Sequence, residues 1–264
     1  MINDALGTRM KTNYENIPKT KLVRRMPVII RIEGKAFHTY TQGFNKPFDD
    51  VLIKSMQDTT AYLCARIQGC VLGYCQSDEI SLLLIDYKRL TSSAWFDYEV
   101  QKLCSISAAM ATLAFNRFFE QNVIDYAKMN PESSQLTKYN AAMARGAMFD
   151  SRCFNIPKEE VNNYFIWRQL DAVRNSIQMV GQANFSHKEL MGKSCNEIQN
   201  ILMTQKNINW NNFAPQHKRG SVIIRTAMED IGVIGRPKWA ATVYTPDFKK
   251  DHNFVDDLLE PEEI

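Results

Sequence analysis

Two apolar runs, CVLGYC (70–75) and ISLLLID (80–86), are separated by only QSDE (76–79). A gap of this size is too short for a crossover connection, so the runs must fold back on each other as an antiparallel hairpin. The same spacing raises an electrostatic question. Asp78 and Glu79 stand side by side where a buried strand begins. Two negative charges at ~4 Å repel by about 4 kcal/mol at an effective dielectric of 20. The pair therefore needs either a solvated turn or a positive partner.

The flanking sequence extends the pattern. Pro27 precedes VIIRI, a β-branched run that stops at Glu33-Gly34, which predicts a buried strand over 28–32. Asp49 or Asp50 caps a helix to about residue 67, with Leu52, Met56, Leu63 and Ile67 on one face and Gly69 ending it. A second long helix, about 93–119, carries Leu103, Ile106, Met110, Leu113 and Phe118. Residues 127–145 read as a polar loop, and AMFDSRCFNIP resumes as a strand. Pro157 stops that strand and opens a helix ending at Gly181. Ser186…Glu189 and Ser194…Glu197 match capping boxes, so two short helices follow. SVIIRTAM (221–228) reads as a late strand and the charged tail (247–264) as exposed. This order is the layout of a ferredoxin-like α/β (α+β) antiparallel sheet with helices on one face and an added helical C-terminal region.

Composition narrows the class. The chain has 264 residues, 45% of them hydrophobic, which suffices for one large α/β domain. Its six cysteines (Cys64, Cys70, Cys75, Cys104, Cys153, Cys195) form no CxxC pair and lie mostly in apolar stretches. That usage suits reduced thiols rather than a disulfide framework or a zinc site. No apolar run approaches the ~18 residues of a membrane span, and the N-terminus has no signal-like core. The expectation is a soluble, cytoplasmic protein with no membrane partner. A net charge of +3 permits a nucleic-acid partner without demanding one. The basic pairs Arg24-Arg25, Lys88-Arg89, Lys218-Arg219 and Lys249-Lys250 are scattered, and Trp95, Phe96, Phe118 and Trp167 are assigned to packing or subunit contact.

If strand 28–32 neighbours the hairpin, Glu33 lies near the turn that holds Asp78 and Glu79. Three carboxylates at one sheet edge make a hard-oxygen site suited to Mg²⁺, which keeps room for phosphate oxygens. Two such ions, ~3.5–4 Å apart, can serve both an attacking oxygen and a leaving pyrophosphate.

RIEGKAFH (31–38), KPFDD (46–50) and YCQSDEISLLL (74–84), joined by FDSR (149–152) and HKRG (217–220), resemble the tRNA-histidine guanylyltransferase family of 3′-to-5′ polymerases. The resemblance implies a polymerase-like palm, with residues 1–150 as the catalytic region and 151–264 as a continuation of the same fold. It implies two Mg²⁺ ions held by Glu33, Gly34 (through its carbonyl) and Asp78, with Glu79 as the adjacent essential acid. Lys35, Ala36, Phe37, His38, Lys46, Asp49 and Ser77 would line the activating nucleotide, ATP or GTP. Arg31, Lys102, Arg152, Asn175, Lys218 and Arg219 would meet a second triphosphate or the RNA end. The implied partners are tRNA and nucleoside triphosphates, and the implied assembly is a homotetramer. Two departures bear on this. Family members usually carry Asp where this chain has Glu33, a reach longer by roughly 1.5 Å. The eukaryotic H-I-N-N-L-Y-N motif of the long later helix is absent (QLDAVRN at 169–175), which favours templated 5′-end addition or repair over untemplated guanylate addition. Two other readings stand beside this one: another palm enzyme, such as a nucleotide or diguanylate cyclase, and a catalytically inactive RNA-binding protein.

Overall fold

The hairpin lies at the centre of the sheet. β2 (Cys70–Gln76) pairs antiparallel with β3 (Glu79–Leu84), and β3 pairs on its other side with β1 (Val28–Gly34). The structure, a computed structural model, describes residues 4–226 and 238–261. β4 (Phe149–Asn155) adds outside β1, while β5 (Ser221–Thr226) and β6 (Lys238–Ala241) extend the sheet beyond β2. The order is β4-β1-β3-β2-β5-β6, antiparallel throughout. The last two residues of the expected late strand, Ala227 and Met228, lie outside the described residues.

Side-chain alternation sorts the strands onto two faces. Val28, Ile30 and Ile32 of β1 and Ile80, Leu82 and Leu84 of β3 join one buried cluster; Ile29 and Leu83 join another. A short helix α1 (Ala5–Met10) precedes β1, and a single turn, α2 (Phe37–Tyr40), follows it. The first face is covered by α3 (Asp50–Arg66), α4 (Val100–Met129) and α5 (Gln135–Arg145). The second face is covered by the N-terminal half of α6 (Lys158–Asn184) and by α10 (Asn253–Leu259). Helices therefore pack on both faces, not one. The C-terminal half of α6 packs with α8 (Cys195–Lys206) in a smaller third cluster, beside α7 (His187–Leu190) and α9 (Pro215–Arg219).

Four local expectations are corrected. α4 begins at Val100 because Phe96, Asp97 and Tyr98 take positive φ (49°, 50° and 55°), which no continuous right-handed helix allows. The supposed loop at 127–145 holds the end of α4 and all of α5, whose Tyr139 and Ala142 are buried one turn apart. Gly181 does not stop α6; a Cβ there would come within 2.9 Å of Ile198, so this glycine permits close packing of α8 instead. The tail is not simply exposed, since Phe248, Val255 and Leu259 are fully buried against the second face. Both capping boxes form, at Ser186/Glu189 and Ser194/Glu197.

Candidate active site

Strand register assembles the charged groups. Gln76, Glu79, Glu33 and Asp150 are successive partners across β2, β3, β1 and β4, and Tyr74, Ser81, Arg31 and Arg152 form the next row on the same, α6-covered face. A row of acids at the strand ends thus lies one step from a row that carries two arginines. Inward of these comes the apolar row of Ile29 and Leu83, which anchors α6 through Val161 and Phe165.

α6 supplies the remaining charges. Arg168 is buried, and its Nε and a terminal nitrogen donate to the two oxygens of Glu79 at 2.7 and 2.9 Å. Arg31 donates to the same carboxylate at 2.8 Å and also contacts Glu33. Glu33 is met from its other side by Arg152 at 2.6 Å, which also reaches Asp150 at 2.9 Å. Asp171 is paired with Arg168 at 2.9 Å and contacts Arg174. Four acids are matched by four arginines. Glu79 finds its positive partner in guanidinium groups, which answers half of the question raised by the acidic pair.

Asp78 is the other half. It sits in the turn after Ser77, whose φ of 52° is left-handed, and the Asp78 carbonyl accepts the Gly34 N–H at 3.0 Å, pinning the turn to the end of β1. Burial pushes the Asp78 carboxyl above its usual range, and Glu33 and Glu79 push it the same way. Its own backbone N–H and the Ser77 hydroxyl each pull downward, by less than burial raises it but by more than either neighbouring carboxylate does. Among the described residues Asp78 has no basic side chain paired with it, so the turn carries one uncompensated carboxylate.

Among the described residues, no group of three or more His, Cys, Asp or Glu side chains is arranged to hold a metal ion. The donors nevertheless suit a hard divalent cation: Asp78 lacks a counter-charge, and Glu33 is beside it. Glu33 is held on one side by Arg152, whose side chain is half exposed, and exposed pairs are worth about 0–1 kcal/mol. Glu79 is held by an arginine whose side chain is only 5% exposed. The Arg152 side of Glu33 can be released cheaply, whereas its Arg31 contact and both sides of Glu79 are held by mostly buried guanidinium groups.

The nucleotide residues expected from the sequence divide. Asp49, Ser77 and Asn175 line one small pocket together with Gln76, Ser176, Met179, His217 and Gly220. Asp49 is also the cap of α3, accepting the Leu52 N–H at 2.9 Å and the Tyr139 hydroxyl at 2.8 Å, so part of its role is structural. Lys35, Ala36, His38 and Lys46 are exposed. The Phe37 side chain is in the core, in ring contact with Tyr40, Phe115 and Phe149, and cannot face a ligand. A Cβ on Gly34 would stand 2.1 Å from the Phe37 ring, so glycine is required there. Lys218 donates to the Asn211 carbonyl at 2.5 Å and Arg219 is 3.7 Å from Asp247, both on α9 next to the pocket wall. Lys102 is not brought to this cluster. It lies in the first turn of α4 on the other face, 3.6 Å from Glu99.

Arg168 and Asp171 were not foreseen. The signal was present: Val161, Phe165, Arg168, Ala172 and Ser176 share the buried stripe of α6, and an arginine on such a stripe needs a buried partner. Trp167, assigned to packing or subunit contact, is 53% exposed and stacks on the Arg168 guanidinium at 4.2 Å. A larger cleft of about 490 Å³ lies at the opposite end of the sheet, lined by Gln68, Lys88, Arg225 and Trp239, with no carboxylate among its described lining residues.

Known proteins share this arrangement of the chain. A family model described as tRNA(His) guanylyltransferase (Thg1) matches residues 7–157, and one described as the Thg1 C-terminal domain matches residues 159–252. A solved structure of a bacterial tRNA(His) guanylyltransferase (Thg1)-like protein in complex with ATP is similar at a TM-score of 0.82 and 41% identity, covering 98% of this chain and 100% of that one. A second such structure, in complex with GTP, is similar at a TM-score of 0.78 and 38% identity, covering 97% and 99% of the two chains. The tRNA(His) guanylyltransferase of Saccharomyces cerevisiae is 29% identical over 213 residues, 75% of this chain and 82% of the yeast protein. Two consecutive family matches that leave out little more than the termini allow one conclusion: this chain belongs to the tRNA(His) guanylyltransferase family of nucleotidyltransferases.

Proposed function

We propose that this protein is a Mg²⁺-dependent nucleotidyltransferase that adds nucleotides to the 5′ end of tRNA in the 3′-to-5′ direction, in templated 5′-end repair. The observation that carries this reading is Asp78, a carboxylate with no basic side chain paired to it among the described residues, beside Glu33, at a sheet end where every other acid is met by a guanidinium group. Asp78, Glu33 and the Gly34 carbonyl would hold Mg²⁺, which supplies charge neutralisation at the reacting phosphate and its attacking oxygen.

The remaining work falls to the chain's own groups and consists of positioning and charge placement. Ser77, Asp49 and Asn175 bound the pocket for the activating nucleotide, ATP or GTP, and the exposed Lys35, Ala36, His38 and Lys46 would reach the same nucleotide from outside it. Arg31 and Arg152 stand where phosphate oxygens would replace carboxylates as partners. When Arg152 turns from Glu33 to a phosphate, it holds the substrate and frees a Glu33 oxygen together. Arg suits this exchange because its fork fits either oxyanion. Lys218 and Arg219 would contact the RNA end. The 5′-phosphate is first joined to the activating nucleotide with loss of pyrophosphate. The 3′-hydroxyl of the incoming nucleotide then attacks that phosphate, and the activating nucleotide leaves as its monophosphate. A 5′ end that already carries a triphosphate loses pyrophosphate instead. A homotetramer and a cytoplasmic location belong to the same reading.

The test uses a tRNA lacking its first 5′ residue, incubated with Mg²⁺, ATP, labelled nucleotides and the protein. Extension at the 5′ end is expected. Asp78→Ala should reduce it by at least about 100-fold while leaving the circular dichroism spectrum unchanged. Undiminished extension by that variant, or none by the wild type, removes the proposal.

A further inference from the structure

We propose that Arg168 is a positioning residue of this site, one that makes Glu79 a fixed anchor and not a cation ligand. The inference rests on the nucleotidyltransfer reading for its rate measurements and on geometry for the rest. Both Glu79 oxygens are taken by the Arg168 fork at 2.7 and 2.9 Å, and one of them is also taken by Arg31 at 2.8 Å. The carboxylate is buried and three of its about four lone-pair positions are taken by guanidinium donors, so a cation entering from solvent would have to displace them. The guanidinium is held in turn by Asp171 at 2.9 Å and by the Trp167 ring at 4.2 Å. Arg168 is thus fixed from three directions and transmits that order to Glu79.

Two consequences reach the pocket. Arg31 bridges Glu79 and Glu33, so an anchored Glu79 sets where Arg31 holds Glu33. Arg168 also shares a helical face with Ala172, Asn175, Ser176 and Met179, at steps of four, seven, eight and eleven residues, and those four line the pocket that contains Ser77 and Asp49. The Arg168–Glu79 pair is therefore the bolt that sets the height of α6 over the acid turn. Its loss would displace Asn175 relative to Ser77 without removing any group that touches substrate.

The test compares Arg168→Gln, Arg168→Lys, Glu79→Gln and the double variant Arg168→Gln/Glu79→Gln. Each is followed by thermal melting, Mn²⁺ binding measured by electron paramagnetic resonance, and 5′-end extension. In Arg168→Gln a buried carboxylate loses its main partner, and a large fall in melting temperature is expected. Arg168→Lys keeps the charge but cannot serve both oxygens. It should lower kcat by about 10- to 100-fold, as a misplacement of order 1 Å does, with little change in KM for ATP. The double variant exchanges the ion pair for an amide pair that can still hydrogen-bond. It should melt near the wild type, bind as many Mn²⁺ ions as the wild type, and recover to within about 10-fold of its rate. A folded double variant that loses a Mn²⁺ ion, or stays inactive while Arg168→Lys is unaffected, makes Glu79 a ligand and overturns the proposal. A wild type that binds Mn²⁺ but extends no 5′ end refutes the proposed function, while the melting and Mn²⁺ comparisons still decide the place of Arg168.

Discussion

Burial and two neighbouring carboxylates raise the Asp78 carboxyl above its ordinary range, so in the ligand-free protein its ionised form is disfavoured relative to the unfolded chain. The folded state then binds that proton more tightly than the unfolded state does, and stability falls as pH rises through the folded-state value. Asp78→Asn should therefore raise the melting temperature at neutral pH, with the gain shrinking toward zero as pH drops below the ordinary aspartate range. Calorimetry across pH checks this, and a gain that grows on acidification would contradict the burial argument. Glu33 is the second residue whose chemistry differs from its surroundings. Asp at this position would be shorter by one C–C bond, roughly 1.5 Å, and could not reach Arg31 and Arg152 together. If Asp keeps the Arg31 contact and gives up the half-exposed one to Arg152, Glu33→Asp should cost no more than about 1 kcal/mol in urea denaturation, and a larger loss would show that the Arg31 contact was broken instead. It should keep 5′-end extension, since a carboxylate remains beside Asp78.

Elements meet the site through two close approaches. α3 lies on β2 at Gly73, where a Cβ would come within 2.5 Å of the Cys64 sulfur and 2.7 Å of Thr60 Cγ2. Both neighbours are buried, so Gly73→Ala should cost about 1–3 kcal/mol, read by denaturant unfolding. On the other face Phe248 is fully buried between Tyr74 and Phe165, with ring centroids 5.7 and 5.4 Å away. Phe248→Ala should cost about 3–5 kcal/mol, far more than an exposed tail residue would. These contacts show which parts of the fold were readable in advance. β1 and the hairpin were legible because apolar runs and a four-residue gap leave one way to fold them, and the pairing of β1 with the hairpin strand β3 then brings Glu33 opposite Glu79. The second face was not legible, because which helix lies on it depends on contacts between residues far apart in sequence. α10 hid for a related reason: Phe248, Val255 and Leu259 are spaced among acids and lysines that dominate the tail's composition. Arg168 hid because a charge within a helix reads as solvent-facing until its stripe is traced.

For the molecule as a whole, the arginines nearest the site are balanced by acids, so positive charge becomes available to RNA only as those pairs exchange. Phosphate contacts made this way should give an affinity that falls with salt, with a slope of about −0.7 to −0.9 per phosphate neutralised. Arg152→Ala should lower that slope in magnitude by about one, measured by fluorescence anisotropy of a labelled tRNA over a series of KCl concentrations. The order of the sheet has a consequence during synthesis. β1, β2 and β3 leave the ribosome first, whereas β5 and Arg168 follow only after α4, α5 and β4 have been made. Until then the nascent chain carries an open edge on β2 and an acid pair without its main counter-ion, a state that chaperones would be expected to shelter.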